Sequence, residues 1–249
     1  QINLPNRKRM VVNNMAKEFV HLHNHTAFSL LDGACRLDEM IAKAKEQNMP
    51  ALAITDHGVM YGVIDFYKAC KKAGIKPIIG CEVYVAPNSR FDKKPNIDDS
   101  PFHLVLLAKN NKGYQNLIKL VTIASLEGFY YKPRVDKEIL AQYSEGLIAL
   151  SACLAGEIST LLMANKYEEA KESAQRYQEI FGADNFYLEL QNHGLHEQAK
   201  VNAKLAQIGE ETGIPLVATN DVHYVNREDA RVQDVLMCIQ MAKTLDDES

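Results

Sequence analysis

Five of the eight histidines in this chain fall in short motifs: His23-Asn24-His25, Asp56-His57, His103 and Asp221-Val222-His223. Neutral imidazoles, the carboxylates of Asp32 and Glu82 and the thiolate of Cys153 are all ligands for divalent transition metals. Together they supply donors for more than one ion, so a multinuclear metal site is the first expectation. Closely spaced divalent cations clamp a phosphoryl group and generate hydroxide at neutral pH. Spacing supports the grouping, because residues two apart in a strand point to one face, as His23 and His25 would, and Asp221 and His223.

Each residue also has a plainer explanation. His57, between Thr55-Asp56 and Gly58, fits a strand-to-helix turn aimed over a cleft, or a turn in which Asp56 caps a helix and His57 is incidental. Glu82 sits between Gly80-Cys81 and Val83-Tyr84-Val85, where an ionised carboxylate needs a positive partner unless the strand edge faces water. Cys153 alone reads as a small core residue and Asp32 as a turn aspartate. His21 is assigned to the core or behind a ligand. His193 and His196, flanking Gly194, read as surface loop, with substrate contact as the alternative.

These residues need a scaffold that brings them to one end. Apolar, β-branched runs predict strands at Phe19 to His25, Ala51 to His57, Lys76 to Val85, His103 to Lys109, Gly146 to Cys153, Phe186 to Gln191 and Pro215 to Asp221. Amphipathic patterns predict helices at Leu37 to Gln47, Tyr61 to Ala73, Tyr114 to Ser125, Ala155 to Ala164, Tyr167 to Phe181 and His196 to Thr212. Gly74 and Gly213 stand where helices stop. Alternation of this kind implies a mostly parallel α/β sheet, and at 249 residues a closed barrel. His23, His25, His57, Cys153, Asp221 and His223 then lie at the C-terminal strand ends, where barrel active sites are built. His103 begins its run instead, which predicts an antiparallel hairpin with the preceding strand and a distorted barrel. The connecting segment, Pro87 to Pro101, is expected to be a polar, mobile loop.

Composition sets outer bounds. A 47% hydrophobic and 24% charged chain is ordinary globular material, without a membrane-length apolar run or a signal peptide. Five widely spaced cysteines lack a C-x-x-C pair, which suggests reduced thiols and a cytoplasmic setting. A net charge of −4 argues against a broad basic nucleic-acid surface, although bound divalent ions would concentrate positive charge in the cleft. Residues 1–17 lack periodicity and read as a disordered leader or a remnant of recombinant expression, leaving 18–249 as one domain. The end, Asp234 to Ser249, has helical apolar spacing and no capping glycine, as if cut from a longer protein.

The segments Phe19-Val20-His21-Leu22-His23-Asn24-His25-Thr26, Ser29-Leu30-Leu31-Asp32-Gly33, Ile54-Thr55-Asp56-His57-Gly58, Gly80-Cys81-Glu82-Val83-Tyr84 and Ala218-Thr219-Asn220-Asp221-Val222-His223 resemble the polymerase and histidinol phosphatase (PHP) family. The similarity is to its bacterial replicative DNA polymerase branch, and it runs from about residue 18 to the end. The resemblance implies a distorted seven-stranded (β/α)7 TIM-like barrel with two to three divalent metal ions, zinc, manganese or iron. It implies nine metal ligands: His23, His25, Asp32, His57, Glu82, His103, Cys153, Asp221 and His223. A first ion would take His23, His25, Glu82 and Asp221. Glu82 would bridge to a second, with His103 and Cys153, and a third would take Asp32, His57 and His223. Asp32 and Cys153 depart from the histidines of the small phosphatases, but both are metal-competent.

An intact ligand set implies metal-dependent 3′→5′ exonuclease proofreading at a DNA 3′ end, with no catalytic side chain separate from a metal-bound hydroxide. The expected partners are the remainder of the polymerase subunit and a separate proofreading subunit, and no membrane. Lys132 and Arg134, in Tyr130-Tyr131-Lys132-Pro133-Arg134, are candidate contacts to flanking phosphates, with His193 as a further substrate contact. Two other readings compete: a catalytically silent, metal-stabilised interaction module, and a small-molecule phosphatase of the histidinol-phosphatase type.

Overall fold

A computed structural model of the chain describes residues 19–30 and 32–247. The expected leader, residues 1–17, lies outside them. In chain order the elements are α1 (Leu37–Glu46), β1 (Ala51–Ile54), α2 (Val63–Ala73), β2 (Lys76–Val85), β3 (Phe102–Ala108), α3 (Asn111–Leu126), β4 (Arg134–Val135) and α4 (Lys137–Gln142). Then follow β5 (Leu147–Leu150), α5 (Glu157–Met163), α6 (Tyr167–Phe181), β6 (Phe186–Leu190), α7 (His196–Thr212), β7 (Leu216–Ala218) and α8 (Ala230–Met241). β2, α6 and α7 coincide with the expected spans. Gly74 and Gly213 end α2 and α7 with φ of 78° and 74°, the left-handed conformation glycine adopts without a Cβ penalty.

The strands form one curled sheet of order β1-β2-β3-β5-β6-β7, and β4 pairs with the end of β2 that β1 does not reach. β1–β2, β2–β4, β5–β6 and β6–β7 are parallel. β3 runs antiparallel to both β2 and β5, so the expected hairpin is present and places His103 opposite Tyr84. Helices cover the sheet's outer side. Leu104, Leu106, Leu117, Leu120 and Phe186 pack with Tyr177 and Leu205 in the largest core cluster, while Met40, Ile41, Leu52, Ile54 and Phe66 fill a second beneath α1 and α2.

The expectation of a first strand at Phe19 to His25 is corrected. No regular ladder forms there, and β1 and β7 remain the two ends of the sheet. Residues 21–25 run between those ends on scattered hydrogen bonds. The Ala53 and Thr55 N–H groups donate to the carbonyls of His21 and Asn24, the His25 N–H to that of Val222, and the Val222 N–H to that of His23. Side chains replace ladder bonds: the Asn24 amide donates to the His21 and Ala53 carbonyls at 3.0 and 2.9 Å, and its own N–H donates to Thr55 Oγ1 at 2.8 Å. The segment thus satisfies its backbone without regular pairing.

The loop before β3 also departs from expectation. Asp98 is buried, Arg90 is 9% exposed, and the Arg90 N–H donates to Asp136 Oδ2 at 2.9 Å. The buried Arg134 guanidinium also donates to the carbonyls of Arg90, Asp92 and Asp98, so the segment is held rather than mobile. Among the described residues no helix is long and apolar enough to cross a membrane, and all five cysteines are free.

Candidate metal centre

The site lies at the sheet end where β2 finishes and β3 begins. Two loops enter it under tight backbone control. In the first, Asp56 is buried and accepts from the Thr26 N–H at 2.6 Å and from the Ser29 hydroxyl at 2.8 Å, fixing the turn after His25. Gly33 closes that turn: a Cβ there would stand 2.0 Å from the Thr26 carbonyl oxygen, so only glycine lets Asp32 fold back over the site. In the second, Gly58 adopts φ of 65° against Tyr84 and Pro133, turning His57 inward, and the Gly58 N–H donates to the Glu82 carbonyl at 2.7 Å. The sharp turn expected around His57 is present, and Asp56 serves the neighbouring loop rather than a helix end. Two non-glycine residues, Ala152 (φ 63°) and Asp221 (φ 46°), also take left-handed backbone at the site, a conformation that persists only where surroundings impose it.

All nine expected ligands converge. His23 Nε2 lies 2.7 Å from Glu82 Oε2, 3.1 Å from His25 Nε2 and 3.3 Å from Asp221 Oδ1. Glu82 is fully buried, and its Oε1 is 2.8 Å from His57 Nδ1 and 2.7 Å from His103 Nδ1. Three sets of donor atoms lie close enough to hold an ion: His23, His25, Glu82 and Asp221; His57, Glu82 and His103; and His25, His57 and His223. The first is the expected first set. The other two each include His57, because its ring pairs with Glu82 on one side and stacks on His25 at 3.9 Å. Asp32 joins through His57 Nε2 at 3.0 Å, and Cys153 Sγ stands 3.7 Å from His103 Nδ1.

The electrostatics ask for positive charge. Burial alone would raise the Glu82 and Asp221 carboxyls, but neighbouring histidines hold both below the usual carboxylate range. Burial, with His57 alongside, pushes His25 down to about 3, leaving its lone pair free. Burial opposes protonation of His57 too, but Glu82 and Asp32 outweigh it and raise His57 to about 10. The Cys153 thiol is pushed well up by burial and then by Glu82 and Asp221, so a cation would be needed to ionise it. Asp32 Oδ1 and Asp221 Oδ1 are buried and accept no hydrogen bond. Buried carboxylate oxygens with no donor among the described residues, one of them 3.2 Å from the unprotonated His25 imidazole, fit a divalent metal ion.

Glu189 is the residue sequence reasoning missed. It is 2% exposed on β6, and His23 Nδ1 donates to its Oε1 at 2.7 Å. Gln191 Nε2 donates to the same oxygen at 3.0 Å, and the Thr219 hydroxyl does so as well. This arrangement presents His23 Nε2 to the donor cluster and fixes the ring's orientation. The signal was available, since a glutamate inside Phe186-Tyr187-Leu188-Glu189-Leu190 is as unusual as Glu82 in its own strand. Glu189→Gln is expected to weaken binding of one metal equivalent about 10–100-fold. Competition with a chelating dye measures it, and unaltered affinity would remove Glu189 from the site.

The three expected substrate contacts separate. Lys132 is exposed, with Nζ 5.4 Å above the Tyr84 ring, whose own centroid is 5.2 Å from that of His103. It therefore stands at the rim of the cluster. Arg134 does not: it is fully buried, and its guanidinium donates to the backbone carbonyls of Gly128, Asp98, Arg90 and Asp92. Its expected phosphate contact is corrected to a structural role, because every guanidinium nitrogen is already engaged inside the protein. His193 is exposed and borders a cleft of about 410 Å3 that also reaches Asp221 and His223. His21 Nδ1 has no partner among the described residues and its ring packs edge-on against Phe19, while His196 opens α7 and is exposed.

Comparison with known proteins places the chain in a family. The family model described as the PHP domain matches residues 21–193. The DNA polymerase III subunit alpha of Borreliella burgdorferi is 53% identical over 232 residues, covering 93% of this chain and 20% of that protein. The subunit from Thermus aquaticus is 51% identical over 234 residues, covering 92% and 19%. The chain therefore spans about a fifth of the length of these curated relatives. Among solved structures, an amidohydrolase from Chromobacterium violaceum shares the fold, with a TM-score of 0.52 at 16% identity over 87% of this chain and 96% of the other.

Proposed function

The chain belongs to the PHP domain family, and from that membership we propose that it is the PHP domain of a bacterial replicative DNA polymerase III alpha subunit whose metal centre hydrolyses phosphodiesters at DNA 3′ ends. The observation that carries this reading is the convergence of every expected ligand around Glu82. His23, His25, Glu82 and Asp221 would hold one ion, Glu82, His103 and Cys153 a second, and Asp32, His57 and His223 a third. Two to three zinc, manganese or iron ions there would supply an activated water and neutralise phosphate oxygens. In the same reading the curled sheet closes into a distorted seven-stranded barrel across residues 21–25.

The chain's own residues do the rest. Glu189 orients His23, Ser29 holds His25 through Nδ1 at 3.1 Å, and Lys132 offers a cation to a phosphate at the rim. The remainder of the polymerase subunit and a separate proofreading subunit are the proposed partners, and DNA replication in the cytoplasm the proposed setting.

Protein loaded with manganese or zinc, assayed on single-stranded and 3′-mismatched DNA, on bis(4-nitrophenyl) phosphate and on a phosphomonoester, tests the proposal. We expect metal-dependent release of 3′ nucleotides, lost in His25→Ala and in Asp221→Ala. A full metal load that turns over no diester would sink the enzyme reading, and turnover of the monoester alone would redirect it to a small phosphatase. An interaction module is the second reading. It is favoured by α8, none of whose residues is buried and whose Val232, Val235, Ile239 and Met241 are exposed. Its mark would be a Tm that falls on chelation without any hydrolysis.

A further inference from the structure

One exposed histidine is held with a rigidity that surface position does not explain. Gln198 is 4% exposed, and its amide uses both ends on His193: Oε1 accepts from the His193 N–H at 2.7 Å, and Nε2 faces His193 Nδ1 at 2.9 Å. The first bond fixes which end of the amide is the donor, so Nε2 donates to Nδ1 and the ring carries its proton on Nε2. That proton goes to the Asn220 carbonyl at 2.6 Å. Both ring nitrogens are thus occupied by protein, and what His193 retains for a ligand is its flat face.

His193 borders the cleft of about 410 Å3 lined also by Asn220, Asp221, His223, Tyr224 and Gln233. Asp221 and His223 are candidate metal ligands, so the cleft runs from the cluster outward past a fixed aromatic ring. A nucleotide has that same order of parts: a phosphate, a sugar, then a base with a π-face. We infer that the cleft is a nucleobase subsite in which His193, clamped by Gln198, stacks the base of the nucleotide whose phosphate rests on the metal centre. The inference rests on the proposed phosphodiester reading and adds to it a platform for the base. Stacking on a ring is tolerant of sequence, because every base has a π-face. A subsite of this kind holds a 3′ end without selecting among bases. Tyr224 and Gln233 complete its wall, the latter with an amide suited to a base edge.

The test uses the metal-loaded chain with three probes: inorganic phosphate, deoxyadenosine 5′-monophosphate and deoxyadenosine. The nucleotide is expected to bind more tightly than phosphate. His193→Ala should weaken the nucleotide about tenfold and leave phosphate unaltered. His193→Phe, which keeps a flat ring, should restore most of the loss, whereas Gln198→Ala should weaken the nucleotide by freeing the ring. Deoxyadenosine should move the His193 ring-proton resonances upfield with or without metal. Equal affinity for nucleotide and phosphate, with unmoved ring protons, overturns the subsite. Unmoved affinity in His193→Ala overturns it too. If diesters are not cleaved and phosphate does not bind, yet the ring protons still shift with deoxyadenosine, the hydrolysis reading fails and the subsite stands.

Discussion

Glu82→Gln is expected to strip the centre of at least one metal equivalent and to lower diester hydrolysis by about a thousandfold. The expectation follows from position. Glu82 contributes to two of the three donor sets, and its two oxygens reach His23, His57 and His103 within 2.8 Å. No other carboxylate among the described residues serves two sets, so its loss cannot be shared out. Glutamine keeps the shape of the side chain and removes the charge. The buried histidines then face a neutral amide, and the positive charge brought by any ion loses its principal anionic partner. Metal content by elemental analysis and hydrolysis of bis(4-nitrophenyl) phosphate are the paired measurements. Full metal content with undiminished hydrolysis would remove Glu82 from the centre of the mechanism. His193→Ala makes a useful contrast, since it should spare the metal count that Glu82→Gln lowers.

Much of this was legible in the chain because the signals were local. β2 shows a continuous apolar run interrupted by one carboxylate, and α6 and α7 carry long helical periods, α7 with a glycine stop that the structure places in left-handed backbone. His103 was informative for a similar reason: a ligand at the start of a run reaches its partners only if the strand is antiparallel, and β3 is. The elements that escaped depend on partners distant in sequence. Residues 19–25 alternate like a strand, yet their backbone groups are claimed by Ala53, Thr55 and Val222 and, at His21, by the Asn24 side chain. β4 has two residues and α4 six, too short for any period to register. Asp56 looked like a cap and is instead the buried acceptor for Thr26 and Ser29, a role visible only once the loops meet.

Arg134 shows the same limit most sharply, and its replacement carries the largest expected effect on stability. In sequence it follows Tyr131-Lys132-Pro133 and looks like a surface cation. In the fold it is fully buried, packed near the Tyr130 ring, with four carbonyl acceptors drawn from residues 90–98 and from Gly128. Arg134→Met fills part of the volume but supplies no donor. Replacing a buried ion by an apolar side chain is harmless only when its partners leave with it. Here the partners are backbone carbonyls that stay, so they must either remain unsatisfied or pull the loop away to reach water. We expect a loss of about 3–5 kcal/mol in urea denaturation, and a Tm lower by about 10 °C. The loop should become cleavable by trypsin after Lys93, and Lys132→Ala should leave both readouts unaltered. Because Arg134 pairs with Tyr84, two residues beyond Glu82, metal affinity measured well below the transition separates two outcomes. Retained affinity with a low Tm means the arginine fastens the loop alone, and a parallel fall in affinity means the loop also holds the end of β2 in place beneath the metal centre. An unmoved denaturation midpoint would show that the loop stands without its buried arginine.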